Sequence, residues 1–166
     1  MDFWSTIYNN GYEVMIAGFS GAFLAQFFKV IGHFLRYRVL NYRLLVETGG
    51  MPSSHSASMT SMAINVGMIS GFSSTIFAVA ASLALVVMYD AAGVRRAAGR
   101  MAGVLNQLTE DIWHQHPSRV PVRLRELLGH TPFEVLIGGL LGALLGVGWH
   151  WLVLTMCYKC HVHEWG

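Results

Sequence analysis

Charge is what this sequence has least of. Of its 166 residues only 12% are Asp, Glu, Lys or Arg, while 54% are apolar. That is about half the charged share of an ordinary soluble domain. No charged residue occurs between Glu47 and Asp90, or between Glu134 and Lys159. Both runs exceed the roughly 20 residues a helix needs to cross a bilayer's hydrocarbon core. The shortage therefore argues against a soluble all-α protein with buried helices and for an integral membrane protein. Net charge is only +2, which gives no general support for a nucleic-acid partner. The chain has 2 cysteines, Cys157 and Cys160, too close together to staple distant parts of a fold. A basic leader is also missing. Asp2 opens the sequence and no small-residue cleavage pattern follows, so the first apolar segment is expected to stay as an anchor.

What is present reads as four apolar segments in one domain spanning residues 1–166. The first covers about 12–35, with Gly18, Gly21, Ala22 and Ala25 on neighbouring turns. Small residues of this kind let membrane helices pack closely. The second covers 54–70 and follows Pro52, with Ser53, Ser54 and Ser56 as capping hydroxyls. An uncharged turn at 71–74 leads to the third, 75–92, which continues as an interfacial helix through Arg95, Arg96 and Arg100 towards Leu108. A polar loop closes 93–131, with Pro117, Pro121 and a short helix expected at 122–128. The fourth segment covers 132–155 and carries Gly138-x3-Gly142-x3-Gly146. That spacing favours close packing, within the bundle or in a homodimer. The expected fold class is all-α: a bundle of about four transmembrane helices with an interfacial helical loop.

Basic residues set the orientation. Arg36, Arg38 and Arg43 lie in the first loop, and Arg95, Arg96, Arg100, Arg119, Arg123 and Arg125 in the long one. The 71–74 turn has none and the C-terminal tail has Lys159. The positive-inside rule makes both basic loops cytoplasmic and both termini exoplasmic, in a cell membrane. Arg38, Arg43, Arg100 and Arg123 suit lipid headgroups and topology better than a site.

In that orientation Lys29 and Arg36 close the first segment and His55 opens the second. Asp90 and Arg95 close the third, and His130 and Glu134 open the fourth. Ionisable residues at such depths are costly and mark functional sites. This set suits phosphoryl transfer. Lys29, Arg36 and Arg95 can hold phosphate oxygens, the arginines bidentately. Backbone N–H groups near Ser53 and Ser54 add donors at a helix N-terminus. One histidine can attack phosphorus while another protonates the leaving oxygen. Glu134, four residues after His130, shares its helical face and can orient the ring.

Gly49-Gly50-Met51-Pro52-Ser53-Ser54-His55, Tyr89-Asp90-Ala91-Ala92-Gly93-Val94-Arg95 and Gly129-His130-Thr131-Pro132-Phe133-Glu134 resemble the divergent branch of the type 2 phosphatidic acid phosphatase superfamily, to which vanadium haloperoxidases are also related. The resemblance covers roughly residues 18–146. Its first signature, Lys-x6-Arg-Pro, appears as Lys29 and Arg36 with Tyr37 for proline. Its second, Pro-Ser-Gly-His, appears as Pro52-Ser53-Ser54-His55. Its third, Ser-Arg-x5-His-x3-Asp, appears split between Arg95 and His130, with Glu134 for the aspartate.

The resemblance implies a metal-independent phosphatase without cofactors. It implies His130 as nucleophile through a phosphohistidine, Glu134 as orienter and His55 as general acid. Lys29, Arg36 and Arg95 would form the phosphate cradle, with Arg96 as competitor for Arg95 and Ser54 assisting. Asp90 has no counterpart in the pattern; it either pairs with an arginine or helps Glu134 bind a divalent cation. The expected partners are membrane lipids and a lipid phosphate substrate: phosphatidylglycerophosphate, phosphatidic acid or polyprenyl phosphate, in that order. The alternative is a non-catalytic membrane protein that binds or transports a phosphorylated lipid, motivated by the departures in all three signatures. Cys157-x2-Cys160-His161-x-His163 offers a weak, exposed metal site at best, and reads rather as a tail or a short disulfide.

Overall fold

The computed structural model describes residues 3–40, 42–45, 50–115, 124 and 129–163, with the side chains of 43, 111–115 and 160–163 outside that description. The described elements are helices joined by turns. They are α1 (Phe3–Ile7), α2 (Gly11–Tyr37), a 3₁₀ turn (Tyr42–Leu45), α3 (Ser54–Ser70), α4 (Thr75–Ala92), α5 (Val94–Gln115) and α6 (Pro132–His163). Helices α2, α4 and α6 are long and apolar enough to cross a membrane. The helix expected at 122–128 falls almost wholly outside the described residues, as do Arg119, Arg125 and the side chains of Cys160, His161 and His163.

Local chemistry fixes the helix starts. Asn10 caps α2 by accepting from Tyr12 N–H, Ser53 caps α3 from Ser56 N–H, and Ser74 caps α4 from Phe77 N–H. Each satisfies one of the donors that a first helical turn leaves open. At the start of α6, Glu134 N–H donates to Thr131 Oγ1 (3.3 Å) while Thr131 N–H donates to Glu134 Oε2 (3.0 Å). The last of these caps uses a residue also proposed for chemistry.

Helix α3 is the axis of the bundle. It packs against α2, α4 and α6, and its own Ser56, Ala57, Ser61, Ala63, Asn65 and Gly67 are buried. Its 17 residues rise about 26 Å, slightly short for a span. Protein rather than lipid surrounds its polar side, so it needs neither the length nor the apolarity of a lipid-facing helix. The glycine stripe of α6 lies on α3. A Cβ on Gly138 would fall 3.1 Å from Ser53 Cβ, one on Gly142 2.8 Å from Ala57 Cα, and one on Gly146 3.1 Å from Ile64 Cβ. From the other side Gly21 of α2 approaches the Ala57 carbonyl carbon within 3.2 Å of a virtual Cβ. The stripe that fits a homodimer contact is thus occupied inside the chain.

The boundaries differ from expectation in two places. Helix α6 continues to His163 rather than ending near 155, and α5 continues to Gln115 rather than Leu108. Neither segment contains a proline or an uncompensated break before those points, so nothing stops the helix at the membrane surface.

Candidate active site at the α3 and α6 N-termini

The site is assembled by a short return of the chain. After the long loop, Gly129 adopts φ +98°, and a Cβ there would fall 2.7 Å from both the Arg95 carbonyl carbon and Arg96 Cα. Only glycine combines that conformation with that approach. His130 N–H then donates to the Ala91 carbonyl at 2.9 Å, and the Glu134 carbonyl accepts from Ser53 N–H at 3.2 Å. Three helix ends are thereby tied together: the end of α4, the start of α6 and the start of α3. The two halves of the split third signature, far apart in sequence, meet in space.

The side chains follow from this frame. The His55 and His130 ring centroids are 6.4 Å apart with planes inclined at 63°. His130 is only 3% exposed. Its Nδ1 lies 3.2 Å from Glu134 Oε2. The same oxygen also accepts Thr131 N–H, so it acts as an acceptor, and the contact suits a hydrogen on Nδ1. His130 precedes α6, outside the membrane-spanning segment. Burial pushes its imidazole below the ordinary value of 6.5, assisted by the Lys29 charge and opposed by Glu134 and the Gly50 carbonyl. This direction favours the neutral ring.

Around the two rings stand cations. Arg95 Nη1 is 3.5 Å from His55 Nε2, and Arg95 Nε donates to Asp90 Oδ2 at 2.7 Å. Asp90 thus pairs with an arginine, the first of its two expected roles. Lys29 is 6% exposed, and its stem lies against Gly50, where a Cβ would sit 3.6 Å from Lys29 Cδ. Lys29 and Arg95 are both close enough to His55 for their charges to act on it. His55 Nδ1 is buried without a hydrogen-bond partner among the described residues.

Not every expected residue joins the group. Arg36 is exposed, with its guanidinium carbon 5.6 Å from the Tyr37 ring centroid. The tyrosine that stands in the proline position of the signature gives that arginine a cation–π surface instead. Arg96 is exposed and contributes its backbone to the Gly129 contact. Ser53 is fully buried and its groups are spent on structure: its N–H goes to Glu134 and its Oγ lies 3.0 Å from Ser56 Oγ while capping α3. Ser54 is half-buried in the first turn of α3, where helical geometry leaves its N–H without an intrahelical acceptor.

A second buried polar group lies at the other end of the same helices. Glu13 is fully buried; its Oε2 accepts Asn9 N–H at 2.8 Å, and its Oε1 accepts Asn65 Nδ2 at 3.0 Å. His150 Nδ1 lies 2.8 Å from that same Oε1, and Tyr8 stacks over the His150 ring at 6.5 Å. Along α6, His150 is about 24 Å from Glu134, so the two groups are separate. Sequence reading missed this cluster. The available signal was an acid inside the first apolar segment and a histidine inside the fourth.

Comparison with known proteins gives the family. The sequence pattern of the divergent PAP2 family matches residues 10–145, and the chain belongs to that family. It is 40% identical over 141 residues to the Bacillus subtilis (strain 168) protein described as "uncharacterized membrane protein YuiD", covering 79% of this chain and 89% of that one. No solved structure matches.

Proposed function

From its place in the divergent PAP2 family, we propose that this membrane protein is a lipid-phosphate phosphatase working through a phosphohistidine. The observation that carries the reading is the pair of imidazoles 6.4 Å apart, one of them held by a carboxylate through Nδ1. A phosphorus atom about 3–3.5 Å from His130 Nε2 would lie beside this pair, off the line joining the rings, with its leaving oxygen towards His55.

In this reading Lys29 and Arg95 hold the non-bridging oxygens, with the Ser54 N–H at the α3 terminus as a further donor. Arg95 moves onto the phosphate and leaves His55 Nε2 to carry a proton. The His130 Nε2 lone pair forms the N–P bond as the bond from phosphorus to the lipid oxygen breaks. That oxygen takes the proton from His55 and leaves as the alcohol. Glu134 stabilises the positive charge on His130 while the phosphoryl group is attached. Water, deprotonated by His55, then attacks phosphorus, breaks the N–P bond and releases phosphate. The protein's own charges neutralise the transition state, and no step calls for a metal or a cofactor.

The orientation belongs to the same proposal. The basic loops support a site at the cytoplasmic side of the cell membrane, where a lipid tail would remain in the leaflet while its phosphate meets His130. Phosphatidylglycerophosphate, phosphatidic acid and polyprenyl phosphate are the substrates to try, in that order. The test is phosphate release by purified protein in mixed micelles of each lipid with a chelator present. Release from at least one, inhibited by vanadate, is expected; binding of these lipids without release at any pH contradicts the reading and favours a carrier.

A further inference from the structure

Helix α5 has three faces, and only two are accounted for among the described residues. Gly99, Ala102 and Asn106 form a buried stripe, and Asn106 Nδ2 donates to the Leu124 carbonyl at 2.8 Å while its Oδ1 accepts Leu124 N–H at 2.9 Å. Arg96, Arg100, Gln107 and Glu110 form an exposed polar face. The third face carries Met101, Val104, Leu105 and Leu108, which are 63%, 57%, 50% and 53% exposed. Their spacing puts all four on one side of a helix.

Length decides where this face lies. The 18 residues of α4 rise about 27 Å, nearly the whole hydrocarbon thickness of about 30 Å. Chain continuing past Ala92 is therefore outside that core, and Arg95, Arg96 and Arg100 in the first turns of α5 agree with that. On α4, Ile76, Val79, Leu83 and Val86 are 60%, 55%, 53% and 64% exposed, an apolar side that lipid covers. Val94, at the start of α5, is also 60% exposed. An exposed apolar strip beside arginines, on a helix that begins where a span of about bilayer length ends, matches a helix lying in the membrane interface.

We propose that α5 docks on an anionic lipid surface, with the Met101–Leu108 strip among the acyl chains and Arg96 and Arg100 at the phosphates, and that this docking fixes the depth of Arg95. The occupant is the leaflet on the site's side of the membrane. The link to the site is direct: Arg95, in the first turn of the docked helix, reaches His55, and the Arg95–Arg96 backbone is the seat of Gly129. Binding of the helix to the leaflet thus holds the phosphate-binding cation and the His130 segment at headgroup level. Only the turnover arm of the test rests on the phosphatase reading.

Val104→Cys and Gln107→Cys are compared in full-length protein whose two natural cysteines are replaced by serine. Each is reconstituted in phosphatidylcholine vesicles with and without phosphatidylglycerol. Water-soluble maleimide is expected to label position 104 about tenfold more slowly than 107, because only 104 lies below the surface. A fluorophore at 104 is expected to be quenched by lipid-borne nitroxide, more strongly with phosphatidylglycerol. Equal labelling at the two positions overturns the proposal, and so does a 104–104 disulfide, which assigns the strip to a second copy. In the turnover arm, Met101→Asp with Leu105→Asp is expected to reduce hydrolysis of a long-chain lipid phosphate about tenfold while a short-chain, water-soluble phosphate ester loses less than about twofold. Equal loss on both esters overturns the depth link. Should the unsubstituted protein hydrolyse neither ester, the phosphatase reading fails and the labelling arm still decides the docking.

Discussion

The N–H of His130 donates to the carbonyl of Ala91 at 2.9 Å, joining the nucleophile candidate to the end of the helix that precedes Arg95. This bond, together with the Gly129 contact, closes the loop that separates the two halves of the third signature. Gly129 is the residue that permits it, with φ +98° and backbone neighbours where a side chain would go. Gly129→Val is expected to destabilise the protein by about 1–3 kcal/mol from backbone strain alone, and to lower turnover at least tenfold by displacing His130. Thermal unfolding in detergent and phosphate release at saturating lipid check both effects. Unchanged turnover shows that the return of the chain does not position His130.

Burial lowers the His130 value below 6.5, and the sign of the consequence follows. In the proposed mechanism the unprotonated ring attacks, so activity is expected to persist as pH falls through the ordinary histidine range and to be lost only below it. The acid limb of kcat/KM is expected below about 6.5. Glu134 acts to raise the value, so Glu134→Gln moves the acid limb further down while reducing kcat at least tenfold by loosening the ring. A pH–rate series on both proteins reads this. An acid limb that moves up in Glu134→Gln contradicts the assigned roles.

Asp90 holds Arg95 Nε at 2.7 Å, and the pair is 37% and 45% exposed respectively. An ion pair so exposed contributes little stability, about 0–1 kcal/mol, so its value is geometric. Asp90→Asn is expected to leave the unfolding temperature nearly unchanged and to raise KM several-fold more than it lowers kcat. Arg95→Lys is expected to be worse on both, because an ammonium cannot bind a carboxylate and a phosphate through a planar fork at once. Steady-state kinetics separate these outcomes. A fall in stability without a change in KM shows that the pair is structural only.

The Glu13, Asn65 and His150 group joins α2, α3 and α6 far from the histidine pair. Glu13→Ala strips the acceptor from the buried Asn65 and His150 donors and from the part-buried Asn9 N–H, which is expected to cost about 1–3 kcal/mol for each buried group left unpaired. Turnover by the protein that remains folded is expected within about twofold of the unsubstituted chain, since a distant, independent site couples weakly. Detergent unfolding curves and turnover per folded molecule read the two quantities. A large loss of turnover without loss of stability assigns this cluster a part in function.

Much of this was legible in the residues because membrane helices write themselves in charge-free runs. The segments expected at 54–70 and 75–92 coincide with helices α3 and α4, since Pro52, Ser53 and Ser74 are strong local start signals. The glycine spacing of α6 signalled close packing, though spacing alone did not say that α3 was the partner. His55, His130 and Glu134 announced themselves by motif and by their i, i+4 spacing. What sequence did not carry was the set of long-range backbone contacts. Nothing local in Gly129 says that it seats on Arg95 and Arg96, and nothing in Ser53 says that its N–H serves Glu134. Tyr37 looked like a lost proline and is an aromatic partner of Arg36. Glu13 and His150 pair across nearly the whole chain, which no short motif encodes.

The most direct measurement is to trap the phosphoryl enzyme. Purified protein mixed with a radiolabelled lipid phosphate and quenched in base should yield an acid-labile, base-stable label on the peptide containing His130. His130→Ala should give no label and no turnover, and His55→Ala should reduce turnover at least about a hundredfold, the usual contribution of a general acid. Two imidazoles sharing one phosphorus atom predict that result. Full turnover by either alanine variant, or label on any residue other than His130, contradicts it.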